Sequence, residues 1–541
     1  MRGASPRRAL RRATRLAAAL GAGALAAGCS GGEPEASLLL VTLDTTRQDR
    51  LGTYGDPAAR TPFFDALARR GTLYRQAFVD ASTTLPSHAS MLTGALSLRH
   101  GVRLNGAYRL PDGAITLTDR LRAAGWSTAA VLSSAALAAR YGLDQGFDHY
   151  DDAIPDEYPA FDRKWWIRAR RVAGNQRRAW NATDAGLALL PRLDAPAFFW
   201  MHYVDAHQPV DPPPPWDRVP GLPGYSAEVA VVDQEMGRFL REAERALGPA
   251  VVAVMADHGE NLGEHHDEGH GLFLYEPVLR VPFVLAGPGV PTGIVSPPVR
   301  NTDLAPTLAA LAGVDPRFPD GVDLLRERPG GPLFAETLAP TTAFGGAPTK
   351  TIRVGSDKLI LSPRPERYDL ERDPAEEHDL FGREPEADAR LLSELEELVG
   401  SVEASREPGA APAAGAAGPD AEQEAALRAL GYLSAPEDPA PDDELRPEGL
   451  DPKDVVDVFW AVRYVDDGRF ETVADRLDRF WREHPEPPDS TWHALFARAH
   501  FCEGALASVE GDWETARRHL RAALRLDPDY EEAAALLRQA P

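Results

Sequence analysis

Short, almost unbroken apolar runs alternating with helical stretches predict an α/β protein, an α/β/α sandwich around a large, mostly parallel sheet. Two further observations complete the architecture. Thr349 to Pro363 reads as a strand pair around Gly355-Ser356-Asp357, which implies a small late antiparallel sheet. Asp451 to Pro541 carries helical periodicity throughout, beyond a stretch rich in Ala, Pro and Gly.

In chain order the candidate strands are Leu38 to Leu43, Thr128 to Leu132, Ala197 to Tyr203, Val251 to Ala256 and Val281 to Ala286. Runs that are apolar without alternation suit strands covered on both faces. Thr61 to Arg70, Leu117 to Ala124 and Ala227 to Leu247 are the helices between them. The implied organisation is a leader (1–28), a tether (29–36), an α/β domain (37–400), a linker with a short helix (401–450) and a helical domain (451–541). Within the last, Gly468-Arg469-Phe470-Glu471-Thr472 and Gly511-Asp512-Trp513-Glu514-Thr515 are each followed by a proline, Pro485 and Pro528, 17 residues after the glycine. This self-match resembles tetratricopeptide repeats, with copies 43 residues apart rather than about 34. Two copies are fewer than the three a free-standing array needs, so the helices are expected to pack on the α/β domain, with a protein partner as an alternative role.

The 541 residues carry a net charge of -24, which excludes a general affinity for nucleic acid. Lysine occurs only at Lys164, Lys350, Lys358 and Lys453. At the N-terminus Arg7, Arg8, Arg11, Arg12 and Arg15 precede an apolar stretch, Leu16 to Ala27, too short to span a bilayer. It ends in Leu25-Ala26-Ala27-Gly28-Cys29, which resembles a bacterial lipobox with Cys29 as the lipidated residue; an ordinary cleaved signal is the alternative. The implied location is the cell envelope, held to a membrane by the lipid. Cys502 is the other cysteine, so neither an internal disulfide nor a cysteine metal site is expected.

In an open parallel sheet ligands bind at the carboxyl ends of strands. Leu38 to Leu43 ends in Asp44, Val251 to Ala256 in Asp257-His258, and Ala197 to Tyr203 near Asp205 and His207. One aspartate after a strand is often a helix N-cap. Carboxylates and imidazoles on three strands are the layout of a metal site, and His265, His266 and His270 add to it in a chain with 14 histidines.

A second motif, Thr83-Thr84-Leu85-Pro86-Ser87-His88 through Thr93-Gly94, reads locally as a helix start with Gly94 as its stop. It resembles the sulfatase motif, in which Cys or Ser, any residue, Pro, Ser and Arg lead to Thr-Gly, with Thr84 at the nucleophile position. Asp44-Thr45-Thr46-Arg47, His207-Gln208-Pro209, Asp257-His258-Gly259-Glu260, Tyr275-Glu276 and Asp303 to Leu308 follow the sulfatase order. The resemblance covers Ser37 to about Leu392 and implies the alkaline-phosphatase-like α/β/α fold. The chain departs from the family in several places. Thr84 is no substrate for oxidation to formylglycine, so none is expected. His88 stands for the motif arginine, Thr45 for the second aspartate and His258 for the usual asparagine, and the lysine before Tyr-Glu is missing. The resulting set is similar to that of lipoteichoic acid synthases, phosphoethanolamine transferases and nucleotide pyrophosphatases, all of which act on phosphorus.

The resemblance therefore implies a divalent cation held by Asp44, Asp257, His258 and Thr84, with Zn²⁺ or Mn²⁺ favoured over Ca²⁺. Thr84 would attack the ester, and His207 or His270 would protonate the leaving oxygen. His88 and Arg47 are the implied substrate contacts. Asp205, His207 and His270 follow the order of a second metal site. The expected substrate is a small-molecule, glycan or lipid ester of sulfate or phosphate, with a phosphate mono- or diester or phosphonate favoured by the nucleophile. A cell-envelope phospho-group transferase and a catalytically dead scaffold are the competing readings.

Overall fold

The computed structural model describes residues 36–154, 176–208, 210–342, 345–405 and 449–541. The leader, Cys29 and almost all of the linker lie outside the described residues.

The described strands are β1 (Ser37–Leu43), β2 (Thr72–Phe78), β3 (Ser127–Val131), β4 (His149–Asp151), β5 (Ala197–Tyr203), β6 (Ala250–Ala256), β7 (Arg280–Ala286), β8 (Gly293–Val295), β9 (Val299–Arg300), β10 (Leu333–Thr337), β11 (Thr349–Val354), β12 (Asp357–Leu361) and β13 (Glu366–Asp369). Nine form one sheet in the order β4-β3-β5-β1-β6-β7-β2-β8, with β9 also on β2. From β4 to β6 the pairing is parallel, and β7 runs antiparallel to both β6 and β2. All seven residues of β1, β5 and β6 are buried, as double-sided coverage requires. The second sheet, β10-β11-β12-β13, is antiparallel and extends the strand pair expected around Gly355 by one strand on each side.

The sequence reading missed β2. Its apolar pattern is broken by Arg75 and Gln76, and the pairing register with β7 shifts between Tyr74 and Ala77. A bulge there lets two polar side chains sit in an otherwise buried strand.

The five C-terminal helices are Pro452–Asp467, Phe470–Glu483, His493–Glu510, Trp513–Leu526 and Glu531–Arg538. Gly468 and Gly511, the repeated glycines, each end a helix in the left-handed conformation at φ 71° and 85°. These helices pack on the catalytic part. Leu272, Phe273 and Tyr275 share one apolar cluster with Val455, Trp460 and Tyr464. Asp451 caps the first helix at Lys453 N and also accepts from Ser362 Oγ at 3.0 Å and Arg364 N at 2.9 Å, which pins that helix to the small sheet. No helix among the described residues is long and apolar enough to cross a membrane.

Helix Gly224–Leu247 lies against helix Pro62–Arg70, and Gly237 makes the approach possible: a Cβ there would fall 2.3 Å from a Phe63 ring carbon. Alanine would gain about 1 kcal/mol in helix propensity but cost about 1–3 kcal/mol in overpacking. Gly237→Ala is therefore expected to lower stability in urea unfolding despite being the better helix former.

Candidate active site

The parallel register creates the site. Leu43 pairs with both Tyr203 and Ala256, so the residues after β1, β5 and β6 leave the sheet at one level. Asp44 and Asp257 are thereby side by side, their backbones tied by Asp257 N to Leu43 O at 3.3 Å. Asp257 Oδ1 accepts from Thr45 N at 3.3 Å and His258 N at 2.8 Å. That satisfies one oxygen and turns the other, Oδ2, inward. Thr45 holds φ at 51°, rare for a β-branched residue, and its carbonyl accepts from Tyr225 Oη at 2.5 Å.

The helix Thr84–Thr93 brings Thr84 to this point as its first residue. Asn105 Oδ1 accepts from Leu85 N at 2.8 Å, which satisfies an amide the helix start leaves exposed. Ser87 Oγ donates to Asp257 O at 2.6 Å and fastens the first turn to the end of β6. Gly94, at φ 57°, stops the helix as expected. Thr84 Oγ1 then lies 3.4 Å from His258 Nε2, which is itself 3.8 Å from Asp44 Oδ1 and 3.6 Å from Asp257 Oδ2.

Asp44, Asp257 and His258 have their ligand atoms within 4.8 Å of one another, all buried, and His88, His202 and Asp257 form a second such group. Both oxygens of Asp44, Asp257 Oδ2, His88 Nε2 and His202 Nε2 are buried with no hydrogen-bond partner. Each such atom costs about 1–3 kcal/mol if left unpaired, so their concentration in one place fits a bound cation. The protonation states agree. Burial lowers His258 to about 4 against the pull of Asp44, and burial with His202 lowers His88 to about 3, so both rings are neutral. His258 Nδ1 donates to Gly259 O at 3.0 Å, which leaves its Nε2 lone pair facing Asp44, Asp257 and Thr84. Burial works against Asp44, but His202, His207 and His258 hold its carboxyl well below the usual range. Burial and then the charge on Asp44 push Asp257 well above it.

Beside this centre His207 and His270 meet Nε2 to Nε2 at 3.1 Å. Two lone pairs cannot face each other at that distance, so one proton lies between the rings. His270 Nδ1 donates to Ser82 O at 3.0 Å, which makes its Nε2 the acceptor and places the proton on His207 Nε2. His207 Nδ1 lies 2.6 Å from Gln208 O, to which it must donate, and 3.2 Å from the Gln176 amide; with both ring nitrogens donating, this is the geometry of the imidazolium, which burial disfavours and Asp44 favours.

Of the other residues named from sequence, Asp205, Arg47, His265 and His266 sit elsewhere and His88 stays at the site. Asp205 faces Arg178 at 3.5 Å, is raised to about 7 by burial, and is in neither metal-spaced group found among the described residues. Arg47 is committed to Asp49 at 2.8 Å, Glu264 at 2.7 Å and Glu260 O at 3.2 Å. His265 stacks on Tyr275 and His266 reaches Arg479, so both leave the site. His88 lies over Trp200 with Nδ1 2.8 Å from Thr84 O. Sequence reasoning missed His202, whose Nε2 is 3.4 Å from Asp44 Oδ2. Its signal was present as the one strongly polar residue in the run Ala197–Tyr203.

A fold and site of this kind define an α/β hydrolase with candidate metal ligands at its strand ends. A family model described as Sulfatase matches residues 37–314, just over half of the chain. The chain belongs to the sulfatase family, and with it is a hydrolase acting on ester bonds. It is 26% identical to the ulvan-active sulfatase of Formosa agariphila, over 67% of this chain and 81% of that one. It is 27% identical to the N-acetylgalactosamine-6-sulfatase of Canis lupus familiaris, over 61% and 72%. The crystal structure of the phosphonate monoester hydrolase of Agrobacterium radiobacter has the same fold, with a TM-score of 0.55, 20% identity, and 71% and 99% of the two chains covered.

Without a cation Asp257 keeps a proton beside the ionised Asp44, and a cation must displace it. Zn²⁺ or Mn²⁺ affinity is therefore expected to rise with pH until Asp257 is ionised without the cation, by up to about tenfold per pH unit. Titration calorimetry in buffers of different ionisation enthalpy would read the released proton directly.

Proposed function

We propose that the chain hydrolyses sulfate or phosphorus esters through a covalent ester on Thr84, without formylglycine. The observation that carries this reading is the position of Thr84 Oγ1, at a helix N-terminus and 3.4 Å from His258 Nε2, next to the unpaired oxygens of Asp44 and Asp257. Asp44, Asp257 and His258 would hold a divalent cation, with Zn²⁺ or Mn²⁺ suited to two carboxylates and an imidazole. When bound, the cation supplies positive charge that makes a nearby hydroxyl more acidic and offsets charge on the transferred group.

The chain's own residues account for the remaining steps. Thr84 releases its hydroxyl proton to solvent and its Oγ attacks sulfur or phosphorus in line, breaking the bond to the leaving oxygen, and the helix N-terminus favours the anion beside it. The proton between His207 and His270 is positioned for the leaving oxygen, and His207 Nδ1 donates to Gln208 O both before and after transfer. Water then releases the product. The names of the sulfatase relatives favour glycan sulfate esters, while the threonine and the phosphonate hydrolase neighbour favour phosphorus, mono- or diester or phosphonate. We assign the C-terminal helix pairs a tetratricopeptide-like origin on the Gly468 and Gly511 self-match. We place the chain in the cell envelope, anchored through Cys29, on the lipobox alone.

The test compares 4-nitrophenyl sulfate, phosphate, phosphate diester and phosphonate on protein loaded with Mn²⁺, Zn²⁺ or Ca²⁺. Turnover of at least one phosphorus ester is expected, falling about a thousandfold or more in Thr84→Ala. Turnover that survives the substitution would remove Thr84 from the reaction.

A further inference from the structure

The pocket outside the histidine pair is walled by two stretches of chain far apart in sequence. His207 and His270 form one side, and Phe459, Trp460 and Arg463 of the helix Pro452–Asp467 form the other, of a cleft that opens to solvent. Phe459 and Trp460 are buried, and Arg463 is the only lysine or arginine among the described residues that line the pocket.

The helix is fixed to the catalytic loop at several points. Trp460 Nε1 donates to Asp267 Oδ1 at 2.7 Å, and Asn261 Nδ2 donates to Asp267 Oδ2 at 2.9 Å. Arg476 bonds Glu268 Oε1 at 2.8 Å while holding Asp457 of the same helix at 3.2 Å. The indole packs so closely on Gly269 that a Cβ there would fall 2.8 Å from it, one residue from His270. The aromatic wall therefore has a set position relative to the reacting groups, and Arg463 rises from the same helix. Arg463 also adds to the burial that lowers His207, which places its charge within electrostatic reach of that ring.

We propose that the helix Pro452–Asp467 forms the leaving-group subsite, with Phe459 and Trp460 against a ring and Arg463 as partner for an anionic group on that ring. The substrate is then an ester whose organic part carries a negative charge of its own, such as a carboxylate or a second sulfate. A guanidinium matches such planar or tetrahedral oxyanions by paired N–H donors. This assignment rests on the ester-hydrolase reading above.

The test uses the full metal-loaded chain and two esters, 4-nitrophenyl and 3-carboxy-4-nitrophenyl, of whichever acid is turned over. The readout is the ratio of their kcat/KM values. The wild type is expected to prefer the carboxylated ester, and Arg463→Ala to lower the ratio about tenfold through KM, with Arg463→Lys restoring most of it. A ratio that is the same in wild type and Arg463→Ala would overturn the subsite. Thermal melts of both variants separate this effect from misfolding. Calorimetric binding of 3-sulfobenzoate against benzenesulfonate judges the subsite even if no ester is turned over, an outcome that would itself refute the hydrolase reading. Tighter binding of the dianion, lost in Arg463→Ala, supports the subsite, and equal binding of the two refutes it.

Discussion

Asp44 and Asp257 are held next to each other by strand register, and most of the site follows from that. Parallel pairing of β5, β1 and β6 brings the ends of β1 and β6 to the same level. Neither carboxylate can turn toward water, because both are buried. In folded proteins nearly all buried polar atoms find partners. Here both oxygens of Asp44 and one of Asp257 do not, and they converge with a neutral imidazole. Two like charges in that setting repel strongly, so the metal-free fold tolerates the pair only by keeping a proton on one of them. A bound cation relieves the repulsion and satisfies the unpaired atoms together, so ion binding and folding stability are linked at this point.

The surrounding residues are organised around Asp257. Its carbonyl takes the Ser87 hydroxyl and so anchors the helix that carries Thr84. Its Oδ1 takes the Thr45 amide and so helps hold the strained turn after β1. Two positions where the family pattern has positive charge are filled differently in this chain. His88 replaces an arginine, burial keeps it neutral, and the lysine before Tyr-Glu is missing. The positive charges of the family pattern are therefore absent at these two positions.

Much of this was legible in the sequence. Unbroken apolar runs marked the central strands because parallel strands are covered on both faces. Asp44 and Asp257-His258 were visible because ligands gather at strand ends, and Thr84 because a Pro-Ser turn and a stopping glycine frame it. The parts that were not legible depend on side-chain direction. The density of histidines after Asp257 suggested one cluster. However, His265 and His266 both have positive φ, and the loop turns them toward Tyr275 and Arg479. Asp205 ends the right strand but meets Arg178, and Arg47 is taken up by Asp49 and Glu264. His202 was overlooked because a histidine within a strand reads as core until its neighbours across the sheet are known.

The helical domain was the least legible, since the apolar face of the helix Pro452–Asp467 looks like the core of its own repeat. Part of that face instead packs on Leu272, Phe273 and Tyr275, in the segment that follows His270. The loop between His258 and His270 is held from both sides. Arg47 bonds Glu260 O and Glu264 from the catalytic sheet, and Trp460 and Arg476 bond Asp267, Glu268 and His266 from the helices. The catalytic domain thereby covers an apolar face that the helix Pro452–Asp467 would otherwise expose. The same contacts fix the residue that carries His270, so loosening the first helix would release one wall of the pocket and one member of the histidine pair together. The C-terminal helices are therefore better regarded as part of the catalytic unit than as an appended binding module.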